Sequence, residues 1–432
     1  MYQRKVIQQL NLWKNNPKKR ATLLNGARQV GKTTSVRIFA KENYTHFIEI
    51  NFLRNPDAKN AFEGTLDTRS IILSLSAMGF GPFVEGKTLV FFDEIQECPK
   101  ARTAIKFLVE EAKYDYIESG SLLGINYKDI PSYPVGFEEE IMVYPLDFEE
   151  FLWAKGISGE ILDLLRNCYN NIKPVPQAIH DQISRYWREY LVVGGMPDVV
   201  RAFLEQNDFR QVVKTQRSIL TTYKADIAKY AGNYRSSARQ VLDAIPAELG
   251  KQDKRFVLAN LEKGASRRKY DNPTQWIVEA GLAYYSFNTK AFELPFEATE
   301  NRSLYKLYLV DTGLMSSMLL HNIQMQVMNG DIGVNEGALT ENQIACVLAS
   351  KGLPLHYYDH KSRQELDFVL ANNGKIDIVE VKSGNNYRKH SSLDAAIEKY
   401  ADRIGRSIVF GPCNVERNEN VTYLPLYMSV FF

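Results

Sequence analysis

The eight residues Gly26-Ala27-Arg28-Gln29-Val30-Gly31-Lys32-Thr33 constrain this chain more than any other stretch. An apolar run, Ala21-Thr22-Leu23-Leu24, leads into them, and a helix-compatible segment, Thr34 to Lys41, follows. A glycine-rich loop between a buried strand and a helix lets successive backbone N–H groups wrap a phosphate chain. The residues expected to hold the phosphates are Gly26, Ala27, Arg28, Gln29, Val30, Gly31, Lys32, Thr33 and Thr34. Lys32 would reach the outer phosphates and act in catalysis, and the Thr33 hydroxyl would take a magnesium position. The sequence therefore predicts a site for a nucleoside triphosphate with Mg²⁺.

A second stretch says what happens to the nucleotide. Thr88-Leu89-Val90-Phe91-Phe92 reads as a strand buried on both faces, as in a parallel sheet, and Asp93-Glu94 stand at its carboxyl end, where such sheets bind ligands. Asp93 is expected to hold the metal and Glu94 to polarise the attacking water. His46 to Phe52 alternates like another strand, while Arg54 to Phe62, Ser70 to Met78 and Pro99 to Lys113 read as helices. Tyr114 to Glu118 is a further strand, ending in Ser119-Gly120-Ser121. Ser119 or Ser121 could sense the γ-phosphate there, or the segment could be a plain turn. Strand and helix alternating in this order predict a doubly wound parallel sheet.

The rest of the sequence sets bounds. A length of 432 residues suggests two to four domains rather than one core, and 45% hydrophobic with 24% charged residues is ordinary for a soluble globular chain. The net charge of +2 provides no global field for nucleic acid or membrane, so any such site must be a local patch. Cys98, Cys168, Cys346 and Cys413 are far apart, which argues against zinc and against a disulfide framework. No stretch reads as a signal peptide or a membrane span, and the expected location is cytoplasmic, with no membrane partner.

Leu24 to Thr34, and Phe92-Asp93-Glu94-Ile95-Gln96 after it, resemble the two nucleotide motifs of a large group of prokaryotic AAA-type ATPases, within the AAA+ P-loop superfamily. Tyr144-Pro145-Leu146-Asp147-Phe148-Glu149-Glu150-Phe151-Leu152 is similar to the Pro-Leu-x-Phe-x-Glu-Phe signature that closes their ATPase core. Gly194-Gly195-Met196-Pro197, Asp226-Ile227 and Asp311-Thr312-Gly313-Leu314 resemble later landmarks of the same group. Many members carry Gly-Arg before the closing signature where this chain has Gly136-Phe137, so an arginine sensor is not carried over. The resemblance implies an ATPase domain over 1–155, a helical lid or linker over 156–233, a winged-helix-like domain over 234–325 and a restriction-endonuclease-like α/β domain over 326–432.

Residues 234 to 310 also read, by themselves, as three helices and a hairpin. Ala238 to Leu249 is the first helix, Arg255 to Leu261 opens the second, and Asn272 to Gly281 is the third. Ala283 to Phe287 and Tyr305 to Leu309 form the wing. That is a winged-helix order, and Arg255, Lys263, Arg267, Arg268 and Lys269 place positive charge just before its third helix. The cluster can contact a phosphate backbone or can be solvated charge on a lid. In the last domain Gly337 to Leu348 reads as a helix, and Glu365 to Leu370 and Ile376 to Lys382 as a hairpin. There Asp367 and Glu380 can face each other, with Lys382 on the side of Glu380. Asp367, Glu380 and Lys382 resemble the Asp…Glu-x-Lys core of restriction-endonuclease-like and Holliday-junction-resolvase-like folds, and Glu341 matches the helix carboxylate that completes it. The resemblance implies a nuclease-like Mg²⁺ site acting on branched or single-stranded DNA. The other reading is a nucleotide-gated switch whose last domain is inactive and binds a protein partner. No trans-acting arginine can be singled out, and the oligomeric state stays open.

Overall fold

The computed structural model describes residues 2–121, 134–319, 334–360 and 364–432. It divides into two compact units, 1–144 and 145–432.

The first unit is built on five parallel strands. In chain order it runs α1 (Lys5–Lys14), β1 (Ala21–Asn25), α2 (Lys32–Asn43), β2 (His46–Asn51), α3 (Thr68–Ala77), β3 (Thr88–Asp93), α4 (Pro99–Glu110), β4 (Asp115–Ser119) and β5 (Glu138–Met142). Across the sheet the order is β2-β3-β4-β1-β5, and every pairing is parallel. This is the expected doubly wound arrangement. All six residues of β3 are buried, as its unbroken apolar run predicts. Leu23, Ile50, Val90, Phe92 and Tyr116 pack against Ile71 and Leu75 of α3 and Ala104, Ile105 and Leu108 of α4 on one face. Their strand neighbours Phe91 and Ile117 are equally buried, and α2 packs on β3 and β4. The 54–62 segment forms a 3₁₀ helix only over Pro56–Phe62.

The second unit opens with five helices, α5 (Phe148–Ala154), α6 (Gly159–Asn171), α7 (Gln177–Val193), α8 (Pro197–Gln206) and α9 (Phe209–Tyr230). The start of α5 explains its signature. Asp147 accepts from the Glu150 amide at 2.9 Å and the Asp147 amide donates to Glu150 at 3.0 Å, a reciprocal cap. Phe148 then meets Trp187 edge-on, with ring centroids 5.1 Å apart. Trp187, Tyr190 and Leu191 of α7 are buried in the same core.

Next come α10 (Arg235–Leu249), α11 (Arg267–Glu279), β6 (Ala283–Thr289), β7 (Glu300–Leu309) and α12 (Thr312–Met318). They are followed by α13 (Val334–Ser350), β8 (His356–His360), β9 (Gln364–Asn372), β10 (Lys375–Val381), α14 (Ser391–Tyr400), β11 (Ile404–Gly411), β12 (Glu416–Asn418) and β13 (Val421–Pro425). The helix expected to open at Arg255 does not form, apart from a 3₁₀ turn at Leu258–Asn260. Instead the Phe256 amide donates to the Tyr305 carbonyl at 2.8 Å and the two rings stack, drawing the segment onto β7 as an extended chain. Arg267, Arg268 and Lys269 form the first turn of α11 rather than preceding it.

The hairpin β6–β7 does form, but not as a free wing. It is the edge of one eight-stranded sheet, β12-β13-β11-β10-β9-β8-β6-β7, in which β6 pairs in parallel with β8. The expected boundary at 325/326 lies outside the described residues, and the sheet runs continuously between the segments on either side of it.

Three stretches remote in sequence meet inside this unit. The Gly195 amide donates to Asp311 Oδ2 at 2.6 Å, and the Gly195 carbonyl accepts from the Leu146 amide at 2.7 Å. The Leu146 carbonyl accepts from the Tyr190 hydroxyl at 2.6 Å. Asp311 also caps α12 through the Leu314 amide at 2.8 Å. The approach works because glycines stand there. A Cβ on Gly195 would lie 2.8 Å from the Leu146 nitrogen and 2.9 Å from its carbonyl carbon, closer than carbon atoms pack.

Candidate nucleotide site

The phosphate loop leaves β1 at Asn25 and enters α2 at Lys32. Gly26 and Gly31, at φ 148° and 95°, take backbone shapes that side chains resist. Gly26 also passes so near β5 that a Cβ would sit 3.2 Å from the Val143 carbonyl carbon and closer still to its oxygen. The loop is braced at both ends. Asn25 Oδ1 accepts from the Gly26 amide at 2.9 Å, while its amide group donates to Glu140 at 2.7 Å. Buried Arg4 donates to the Val30 carbonyl at 3.0 Å and to the Tyr144 carbonyl at 2.8 Å.

Lys32 curls back over this loop, donating to the Gly26 and Ala27 carbonyls at 2.9 and 2.8 Å. Burial pushes its ammonium down to about 8, against the opposing pull of Glu94 and Asp93. Asp93 ends β3 in a shell of polar groups. Thr33 Oγ1 donates to it at 3.1 Å, Asn51 Nδ2 at 2.7 Å, and Ser119 Oγ by a short hydrogen bond. Glu94 follows in the left-handed region at φ 57°, with its carboxylate accepting from Gln96 Nε2. Ser121 is buried just beyond the end of β4.

Residues 18–152 match the model of an AAA domain, 184–324 that of a domain of unknown function (DUF8612), and 336–428 that of another (DUF4143). Residues 18–152 form an AAA-type P-loop domain. Among solved structures, the chain is similar to the Walker-type ATPase PABY2304 of Pyrococcus abyssi, at 16% identity over 74% of this chain and 96% of that one, with a TM-score of 0.43. It is also similar to the Thermotoga maritima RuvB Holliday junction branch migration motor, at 15% identity over 68% and 91%, TM-score 0.28. A third is the Aeropyrum pernix ORC1 protein in complex with DNA, at 10% identity over 73% and 90%, TM-score 0.28. No curated protein matches.

The AAA-type domain thus brings together Lys32, Thr33, Asp93, Glu94 and Ser119, all of which the sequence singles out. Its donor set near Asp93 is one carboxylate with neighbouring hydroxyls, all hard oxygen ligands, which suits a hydrated magnesium ion better than a softer metal. Three contributors escape sequence reasoning. Asn51 reaches Asp93 because β2 pairs with β3 in the register Asn51↔Asp93, a neighbour relation visible only in the sheet. Gln96 steadies Glu94, and its place in the second motif is the signal that could have found it. Arg4 lies far upstream of the loop that it braces, and no pattern flags it.

The second candidate cluster also assembles, though differently from its motif. Glu341 lies on α13, Asp367 on β9, Glu380 on β10, and Lys382 just beyond β10. Lys382 Nζ donates to Glu380 at 2.9 Å, and the Val381 amide donates to Asp367 at 2.9 Å. Burial and the nearby Asp367 push Glu380 up to about 7, against Lys382. Glu341 goes the other way. Burial would raise it, but Lys254 and Lys306 outweigh that and hold it at about 2. Neither lysine belongs to the motif.

Proposed function

We propose that this protein binds and hydrolyses ATP with Mg²⁺ through its AAA-type domain. The observation that carries the reading is the convergence of Lys32, Thr33, Asp93 and Glu94 at the carboxyl ends of β1 and β3, beside a loop held open by two glycines. Lys32 exchanges the Gly26 and Ala27 carbonyls for phosphate oxygens, and the loop amides cradle the rest of the chain. Thr33 and Asp93 hold the magnesium ion, whose charge offsets that of the phosphate oxygens when it is bound. Asn51 and Ser119 fix the Asp93 carboxylate, so that only its remaining lone pairs face the ligand. Glu94 accepts the proton of the attacking water, and Gln96 sets its direction until the nucleotide arrives. Glu94→Gln keeps the shape and loses the base. The expected result is ATP binding within a few-fold of the parent with turnover lowered by about 10²–10⁴-fold. Full turnover in that variant would remove Glu94 from its role.

For the second unit we propose DNA as the object of the cycle. Arg268 and Lys263 are exposed and have no acidic partner among the described residues, while Arg267 is tied to β7 through Ser303 Oγ at 2.6 Å and the Arg302 carbonyl at 2.9 Å. Such a patch predicts affinity for branched or single-stranded DNA that falls steeply with salt and is weakened by Arg268→Ala. A salt titration showing no DNA affinity at any ionic strength would favour the other reading, a nucleotide-gated switch that binds a protein partner.

A further inference from the structure

The carboxylate cluster of the second unit is already supplied with cations. Glu341 is 1% exposed, and each of its oxygens faces a different lysine. Lys254 is paired with Oε2, while Lys306 lies 3.2 Å from Oε1, which also accepts from the Tyr308 hydroxyl at 2.5 Å. Lys306 is fully enclosed, bridges to Glu365 at 2.8 Å, and rests over the Tyr357 ring at 5.0 Å. Lys254 is held by its chain neighbours. Arg255 lies 3.7 Å from Asp359, and Phe256 is fastened to Tyr305. The remaining motif residues satisfy one another, through Lys382 on Glu380, the Val381 amide on Asp367, and the Asp367 amide 3.4 Å from Glu380. Among the described residues, no three His, Cys, Asp or Glu side chains are grouped to hold a metal ion. A magnesium ion in this cluster would have to displace or sit beside two ammonium groups, so the residues present do not fit it.

We infer that Lys254 and Lys306 are the resident cations of this cluster, standing where a three-carboxylate site would take a divalent ion. The cluster is then a charge-compensated joint between α13, β7 and the 250–257 segment, and it is closed to metal-dependent phosphodiester cleavage. The motif is misleading here because the lysine on β7 and the lysine on the 250–257 segment both lie outside the sequence window that defines it. Nothing in this inference depends on the nucleotide site, so either can fail without the other.

Lys254 is the removable cation, because its side chain is partly exposed on a segment without regular secondary structure, whereas Lys306 is at 0% exposure. The test uses the full chain with Thr33→Ala, which removes the hydroxyl ligand of the first unit, and Mn²⁺ as the probe in calorimetric titration and thermal melts. The expected parent shows no Mn²⁺-dependent rise in Tm. Lys254→Ala gains one, with a Kd for Mn²⁺ tightened at least roughly tenfold, since one opposing unit charge has been removed. Adding Glu380→Ala abolishes the gain, and Lys254→Arg behaves as the parent. Mn²⁺ uptake by the parent that disappears in Glu380→Ala would overturn the inference, and that measurement needs no change at Lys254. A Lys254→Ala protein that folds and ignores Mn²⁺ would overturn it equally.

Discussion

Lys32→Ala is expected to lower ATP turnover by about 10²–10³-fold, the usual loss when one preorganised donor to a reacting oxyanion is removed. The loss should appear in binding as well as in turnover, because the same ammonium meets the phosphates before and during transfer. Steady-state hydrolysis and calorimetric titration with ATP check the two separately, and unchanged hydrolysis would remove this loop from the site. The charge itself has a pH signature. In the free protein burial holds Lys32 at about 8. Phosphates beside it raise that value again, so the complex keeps a proton that the free protein gives up. Below pH 8 both forms are charged and the effect vanishes. Above pH 8 binding must take up a proton, and affinity falls by up to about tenfold per pH unit until the bound form also deprotonates. Lys32→Ala should lack this decline.

Gly195→Ala should cost about 4 kcal/mol or more, a loss large enough to leave little folded second unit. The added methyl would meet the Leu146 backbone rather than a side chain that could swing away, and it would part the 2.7 Å hydrogen bond between the Leu146 amide and the Gly195 carbonyl. Moving Gly195 also draws its amide off Asp311, a carboxyl that burial has already pushed up to about 6. Gly352→Ala is the control. Gly352 has a φ of 72° and open space around it, so the change should cost only about 1 kcal/mol from backbone strain. Thermal melts of the two variants side by side separate collision from conformational preference, and equal small losses would show that the Leu146 contact yields easily.

The nucleotide site was legible because its chemistry is local. Eight consecutive residues make the loop, and two more end one strand, so spacing along the chain is nearly spacing in space. β5 was not legible. Glu138-Glu139-Glu140-Ile141-Met142 shows neither an apolar run nor clear alternation, and it becomes a strand because Asn25 and Arg102 give partners to Glu140 and Glu138. The Arg255–Leu261 segment has helix-compatible residues, and tertiary pairing with Tyr305 overrides that preference. The pairing of β6 with β7 follows from the two apolar runs and the turn between them, yet alternation along β6 carries no information about what lies beyond its far edge. The cluster around Glu341 fell between these cases. Its carboxylates announce themselves through a motif, while the two lysines that decide its character do not.

The shared sheet also sets an order of events on the ribosome. The first unit has all five strands by Met142 and can close while the rest of the chain is still being made. The second unit cannot. β6 waits with a bare edge until β8 arrives, and β11 waits for β13 at Val421–Pro425. From the completion of β6 at Thr289 until β8 at His356–His360 is made, the growing polypeptide carries a closed first unit and an open β edge, the exposure most prone to pairing with another nascent chain.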